Sequence, residues 1–365
     1  MPADGTAATR MPISCRPRDA MWRRRARSGR WLPRANDRHR GGDMQKIAKD
    51  QAFEYEFDHR HSPKLRVKQD ERFAVETNDA GSGLIRTDNQ DPRPLTSKLW
   101  NFEPVKGNPI GDPIYVEGAE RGDLIEVTIH EIAVDGQGWT GWWPGLGPLS
   151  DSKKWKADSE TNIHIIKHLP GPSGTTRDGK GVFSSKITWN LAPMIGTIGV
   201  APDREVETSA VGQGPWGGDL DIRDVKEGTK VLLNVYHPGA LLYIGDVHAS
   251  QGDTEFYGAA DETGGTAVAS CRVIKNKRVP FIRLEKADTI VSVYSFRPLE
   301  AAVDSAIVGL MEWMVTEYGV SERDAYIHMC VNPEFRVNVY QMVRLGRLQY
   351  TVGAEMPRKY LVPSP

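Results

Sequence analysis

Hydrophobic and polar positions in this chain alternate far more often than they step helically. Phe53, Tyr55 and Phe57 alternate with Glu54, Glu56 and Asp58, the period of two that turns one set of side chains to a buried sheet face. Arg72 to Thr77 predicts a second strand. Ile114–Val116 and Leu124–Ile129, joined through a turn at Gly122-Asp123, predict a strand pair. Lys230–Val235 and Ala240–Ile244 flank His237-Pro238-Gly239 and predict a hairpin. Val268–Ile274, Phe281–Leu284 and Thr289–Tyr294 add three more strands. Helical periodicity is clear in one long segment after Pro298. Leu299, Ala302, Val303, Ala306, Ile307, Leu310, Met311, Met314 and Val315 form one apolar stripe, and Gly319 ends it. Ser321-Glu322-Arg323-Asp324 predicts the start of a shorter helix through Cys330. The segment Trp139 to Pro148, rich in Gly, Pro and Trp, reads as a loop. The fold class expected is mainly β (α+β): β-sandwich-like modules with one long helix in the C-terminal region packed on them.

The 36 Gly and 24 Pro agree with a turn-rich β body. A length of 365 residues with 39% hydrophobic content supplies a sizeable core. The three cysteines, Cys15, Cys271 and Cys330, form no C-x-x-C pair, which excludes a cysteine zinc cluster and a disulfide scaffold. The sequence has no apolar run long enough to span a bilayer, so no membrane partner is expected.

The formal net charge of −1 conceals an uneven distribution. Residues 1–43 carry eleven Arg against four Asp, a net of +7, whereas residues 44–365 carry −8. An acidic body without a basic run is a poor partner for nucleic acid. The first 43 residues lack apolar periodicity and a secretory h-region. They are expected to be a disordered Arg-rich extension lying upstream of a start at Met44, with folding beginning near Gln51. Residues 44–365 are expected to form one folded domain, and the absence of a signal points to the cytoplasm.

The densest polar stretch is Gly245-Asp246-Val247-His248-Ala249-Ser250-Gln251-Gly252-Asp253-Thr254-Glu255. If the strand before it continues, Asp246 and His248 point to the same face. Such a pair can reach one ion, or it can be a hydrogen-bonded pair at a strand end. Asp219 and Asp221, in Gly217-Gly218-Asp219-Leu220-Asp221, form a second patch, and Asp261-Glu262 a third. Ser250 beside His248 is a weak candidate nucleophile because no G-x-S-x-G elbow surrounds it. Cys271 alternates with Val273 in a predicted strand, as a buried structural thiol would.

Taken in order, these patches resemble the acetamidase/formamidase family. The resemblance rests on Pro193-Met194-Ile195-Gly196-Thr197-Ile198-Gly199-Val200-Ala201-Pro202, Gly214 to Asp221, Pro238 to Leu241, and the motif G-D-x-H-x-x-Q-G-D-x-E over Gly245–Glu255. It implies hydrolysis of short amides to carboxylate and ammonia at a site holding a divalent metal, with zinc first and calcium or manganese as alternatives. It also implies a homo-oligomer. Asp221, Asp246 and His248 match the family's acids and imidazole and are expected as metal ligands. Glu262 matches a later acid and is expected as a fourth ligand or as the acid/base. Asp253 and Glu255 are expected to ligate or to orient His248. Trp216, Gln251 and Glu117 are expected to touch the substrate. Asp219, Thr254 and Asp261 depart from the family pattern beside these positions. That leaves a lactam, carbamate or urea-like substrate, or a silent ligand-binding relative, as alternatives.

Removing residues 1–43 is expected to leave the body folded, with circular dichroism and Tm unchanged. Loss of soluble protein would show instead that the segment contributes to folding.

Overall fold

The computed structural model describes residues 44–91, 106–143, 146–150, 154 and 162–361. The expectations for residues 1–43 lie outside them. The described residues all fall in one compact unit, Asp43–Pro365. Its centre is a nine-stranded sheet in the order Gln45–Ile47, Phe73–Thr77, Gly265–Ile274, Leu124–Val134, Lys230–Asn234, Ile282–Glu285, Thr289–Phe296, Tyr350–Pro357 and Arg336–Gln341. A six-stranded sheet runs Gln213–Gly214, Gly217–Asp219, Met194–Val200, Leu242–His248, Ile114–Val116 and Leu65–Val67. A four-stranded sheet contains Gln137–Trp142 and Asn162–Leu169. The mainly β expectation holds.

Successive residues of the central strands enter different cores. Ile125, Val127, Val231, Leu233, Val291 and Val293 join Ile195, Ile198, Ile244 and Val247 of the six-stranded sheet in one buried cluster. Their neighbours Leu124, Leu232 and Ile290 turn the other way and pack with Ala306, Leu310, Trp313 and Met314 of the long helix. Alternation along a strand sends side chains to opposite faces. Both faces of this sheet are covered, so its strands read as nearly continuous apolar runs.

The long helix spans Leu299–Tyr318 and stops at Gly319, whose φ of 66° makes it the left-handed cap expected of glycine. The second helix spans Glu322–Val331, and the Ser321 side chain accepts a hydrogen bond from the Asp324 amide at 3.1 Å.

Both predicted strand pairings are wrong, and for one reason. Ile114–Val116 lies in the six-stranded sheet and Leu124–Val134 in the nine-stranded one. Lys230–Asn234 and Leu242–His248 divide in the same way. Each turn is a crossing between layers, not a hairpin. Leu124–Thr128 pairs with Lys230–Asn234 in one sheet, while Ile114 faces Leu242 in the other. The second crossing runs through three successive left-handed residues, Gly239, Ala240 and Leu241. Gly239 exchanges backbone hydrogen bonds with Val116 and Ala119, which ties the two crossings together. A local pattern of strand–turn–strand cannot distinguish such a crossing from a hairpin.

Three smaller expectations also change. Order begins before Gln51, because Gln45–Ile47 pairs in parallel with Phe73–Val75. In the Phe53–Phe57 segment only Glu56–Phe57 forms a strand, with Phe57 buried and Phe53 exposed. Within the supposed loop at Trp139, Gln137–Trp142 is a strand paired with Asn162–Lys167.

Trp313 is almost fully buried, with the Arg283 guanidinium 4.5 Å from its ring centre. Trp313→Ala is expected to lower the unfolding free energy by about 3–5 kcal/mol, measured by urea denaturation. A loss below about 1 kcal/mol would mean that the helix contributes little to the core.

Candidate active site

Six titratable side chains converge on the floor of one cavity of about 320 Å³: Asp219, Asp221, Asp246, His248, Glu255 and Glu262. All six are buried. They arrive from separate parts of the fold. Asp246 and His248 end the strand Leu242–His248, and Asp219 ends Gly217–Asp219. Asp221 follows two residues later. Glu262 sits between strands, bridging to both Trp139 and His248.

The backbone is bent to bring the acids together. Ladder pairing runs from Ile195–Val247 to Thr197–Gly245 and skips Gly196 and Asp246 between them. Asp246 has a φ of 55° and Asp221 one of 47°, a region in which Asp is tolerated better than most residues. Gly196 lies beneath both. A Cβ there would lie 2.6 Å from Asp221 Oδ1 and 2.7 Å from Asp246 Oδ2, so only glycine lets the two carboxylates close over this strand.

Four of the side chains share one design. Asp246 Oδ2 accepts from Asn108 Nδ2 at 3.0 Å and Thr197 Oγ1 at 3.2 Å. Asp221 Oδ2 accepts from Gln341 Nε2. Glu262 Oε1 accepts from the Ala260 amide at 2.8 Å. The Nδ1 of His248 meets Gln251 Oε1 at 3.0 Å. The far atom of each is left over. Asp221 Oδ1, Asp246 Oδ1 and Glu262 Oε2 are buried without a hydrogen-bond partner. They lie 3.9, 3.5 and 3.3 Å from His248 Nε2. Buried carboxylate oxygens without partners are costly, so this grouping calls for a positive charge. Gln251 Oε1 accepts a hydrogen bond from Nδ1–H, which leaves Nε2 as the nitrogen that can turn a lone pair to a metal once a cation displaces its proton. One imidazole nitrogen and three carboxylate oxygens fit a divalent cation.

The electrostatics agree with that shortage of cation. Burial first, then Asp221 and Asp246, holds the Asp219 carboxyl well above its ordinary value. Burial and the neighbouring Asp221 do the same to Glu255. Asp221 and Asp246 are raised by burial, although His248 pulls them back. Burial alone would lower His248, but Glu262 and Asp246 outweigh it and hold the imidazole well above its usual range.

The expected ligands Asp221, Asp246, His248 and Glu262 are therefore together. The three expected substrate contacts lie elsewhere. Gln251 stands behind His248, and its Nε2 donates to the backbone carbonyls of Asp221 at 2.7 Å and Tyr340 at 3.1 Å. Trp216 is buried in the core against Phe57, with ring centres 4.7 Å apart. Glu117 is exposed and does not line the cavity. Cys271 is buried in the central sheet, Cys330 is exposed, and neither lines the cavity. Asn108, Thr197 and Gln341 were not anticipated as positioning residues. They are single polar residues far apart in sequence; Asn108 and Gln341 lie in no motif, and Thr197 lies in the Pro193–Pro202 segment without any spacing that ties it to Asp246.

The family model described as acetamidase/formamidase family matches residues 43–214 and 208–344. The chain belongs to that family. The solved acetamidase of Yersinia enterocolitica is 30% identical, with a TM-score of 0.76, covering 88% of this chain and 94% of its own. That of Bacillus halodurans is 29% identical with a TM-score of 0.75, covering 86% and 98%. The formamidase of Methylophilus methylotrophus is 27% identical over 243 residues, 54% of this chain and 58% of that protein. Alignments with the curated relatives span 51–61% of those proteins' lengths.

The raised carboxyls and imidazole bind protons more tightly folded than unfolded. Their contribution to the stability of the metal-free protein is therefore complete at low pH and is lost as pH rises through the folded values. A divalent cation displaces those protons, so its stabilising effect runs the opposite way. The Tm gap between zinc-supplemented and chelator-treated protein is expected to widen from about pH 5 to about pH 8. A gap independent of pH would show that these groups do not bind the cation.

Proposed function

We propose that this chain hydrolyses small primary amides to a carboxylate and ammonia, using a divalent cation held by Asp221, Asp246, His248 and Glu262. The observation that carries the reading is the convergence of three unpartnered buried carboxylate oxygens on His248 Nε2 at the floor of a cavity. Family membership supports the reaction class. The N/O donor set suits zinc first, and manganese or calcium by its richness in oxygen.

Amide hydrolysis needs a hydroxide-like nucleophile, a stabilised oxyanion and a proton for the departing nitrogen. A bound divalent cation supplies the first two, by acidifying water and polarising the carbonyl. The chain's own residues do the rest. Asn108, Thr197, Gln341, the Ala260 amide and Gln251 each tie the far side of a ligand and keep its free atom aimed inward. That preorganisation avoids rearrangement when charge develops. Glu255 lines the cavity, and its elevated carboxyl supports a role as donor of the proton to the leaving nitrogen. Glu262 is assigned as a ligand, because its free oxygen faces the imidazole and its other oxygen is tied.

The test is ammonia release from acetamide by the full chain, with and without chelator. Chelator is expected to abolish it and added metal to restore it. Gln251→Ala is expected to weaken metal affinity by about 10–100-fold, because the imidazole loses its tether. Metal-loaded protein that releases no ammonia from any amide would refute the proposed reaction.

A further inference from the structure

The cavity is much larger than formamide or acetamide requires, and its upper wall is apolar. A water molecule takes about 30 Å³ of liquid, so acetamide's four heavy atoms fill on the order of two or three such shares. The cavity measures about 320 Å³, a size that holds a ligand of fragment scale rather than a two-carbon amide alone. The polar groups gather at the floor, where the carboxylates and His248 converge. The rest of the described lining is mostly apolar and includes Trp139, Trp143, Leu146, Val343, Leu345 and Leu348. Among the described lining residues there is no Lys or Arg.

The two tryptophans form a built wall. Their ring centres are 6.2 Å apart in an edge-to-face arrangement. The Trp139 indole N–H donates to Asp79 Oδ1 at 3.2 Å, so its polar atom is engaged away from the cavity. Trp143 is backed by the Tyr257 ring at 6.3 Å, and its carbonyl accepts a hydrogen bond from the Tyr257 hydroxyl.

Resting on the amide-hydrolase reading, we propose that the substrates are neutral primary amides with a bulky apolar acyl group, aromatic or branched, and that formamide and acetamide are poor substrates. The amide end sits at the acid-lined floor and the acyl group against the tryptophan and leucine wall. With five carboxyl groups and no basic residue among the described lining residues, an acyl group bearing its own carboxylate is rejected by like charge. The reaction balances as ordinary hydrolysis. Water adds to the carbonyl carbon, the C–N bond breaks, and the nitrogen leaves with a proton as ammonia.

The experiment compares kcat/KM for ammonia release from formamide, acetamide, butyramide, phenylacetamide and succinamate, using the full chain supplied with zinc. Each added group that fills an apolar pocket is worth about tenfold or more, so phenylacetamide is expected to exceed acetamide at least tenfold. Succinamate is expected to fall below butyramide. Leu345→Trp, at a half-buried position on the wall, is expected to cut the phenylacetamide-to-acetamide ratio about tenfold. A wild-type series in which acetamide or formamide is best would overturn the bulky-acyl proposal and leave amide hydrolysis standing. Ammonia from none of the five would overturn both. An unchanged ratio in folded Leu345→Trp protein would overturn the placement of the acyl group on this wall.

Discussion

The constraint on which the site depends is the crowding of buried negative charge. Five carboxyl groups and one imidazole, all buried, line one cavity. In that environment each carboxylate is costly unless paired. The protein answers with half-tethers. One atom of each of four side chains is held by an amide, a hydroxyl or a backbone N–H, and the other points to a common centre. Burial and mutual repulsion raise Asp219 and Glu255 well above the usual carboxyl range, and Glu262 and Asp246 hold His248 well above its own. The same physics that makes the floor unfavourable when empty of positive charge makes it a strong binding site for one.

Layered construction makes this crowding affordable to the fold. The nine-stranded sheet is covered by the six-stranded sheet on one face and by the long helix on the other. Two adjacent crossings carry the chain between the sheets and are hydrogen-bonded to each other through Gly239. The strand Leu242–His248 leaves the second crossing and runs straight to the site, so rigid packing sets where Asp246 and His248 arrive. Part of the strained backbone sits where the chemistry is. Asp221 and Asp246 both hold left-handed backbone, and Gly196 has given up its side chain to make room for them.

Floor and wall divide the work of recognition. On the proposed reading the acid-lined floor activates water, handles a proton at nitrogen and turns away a second negative charge, while leaving the shape of the acyl group unread. The wall of Trp139, Trp143 and the leucines carries that information through shape and apolar contact. Trp139 comes from a strand of the four-stranded sheet, whereas Val343, Leu345 and Leu348 come from the segment joining two strands of the nine-stranded sheet. The proposed acyl wall is therefore assembled from two sheets, and Trp139 ties it to the floor through paired backbone hydrogen bonds with Glu262.

Period-two patterning, the capped helix after Pro298 and the motif Gly245–Glu255 are local properties, and the sequence by itself determined them. They were enough for the mainly β class and for both helices, and for pairing Asp246 with His248; the resemblance to the acetamidase/formamidase family added Asp221 and Glu262 to that pair. Pairing partners were not legible, because a turn such as His237-Pro238-Gly239 joins strands equally well within a sheet or between two. Nor were the tethers: Asn108, Thr197 and Gln341 act only through contacts across more than twenty residues of chain, which no spacing encodes. Residue type marked Trp216, Gln251 and Glu117 as substrate contacts, yet packing sent one to the core, one behind the imidazole and one to the surface. Identity and short-range order are written residue by residue; which face, which layer and which oxygen is left free are decided only when distant strands pack.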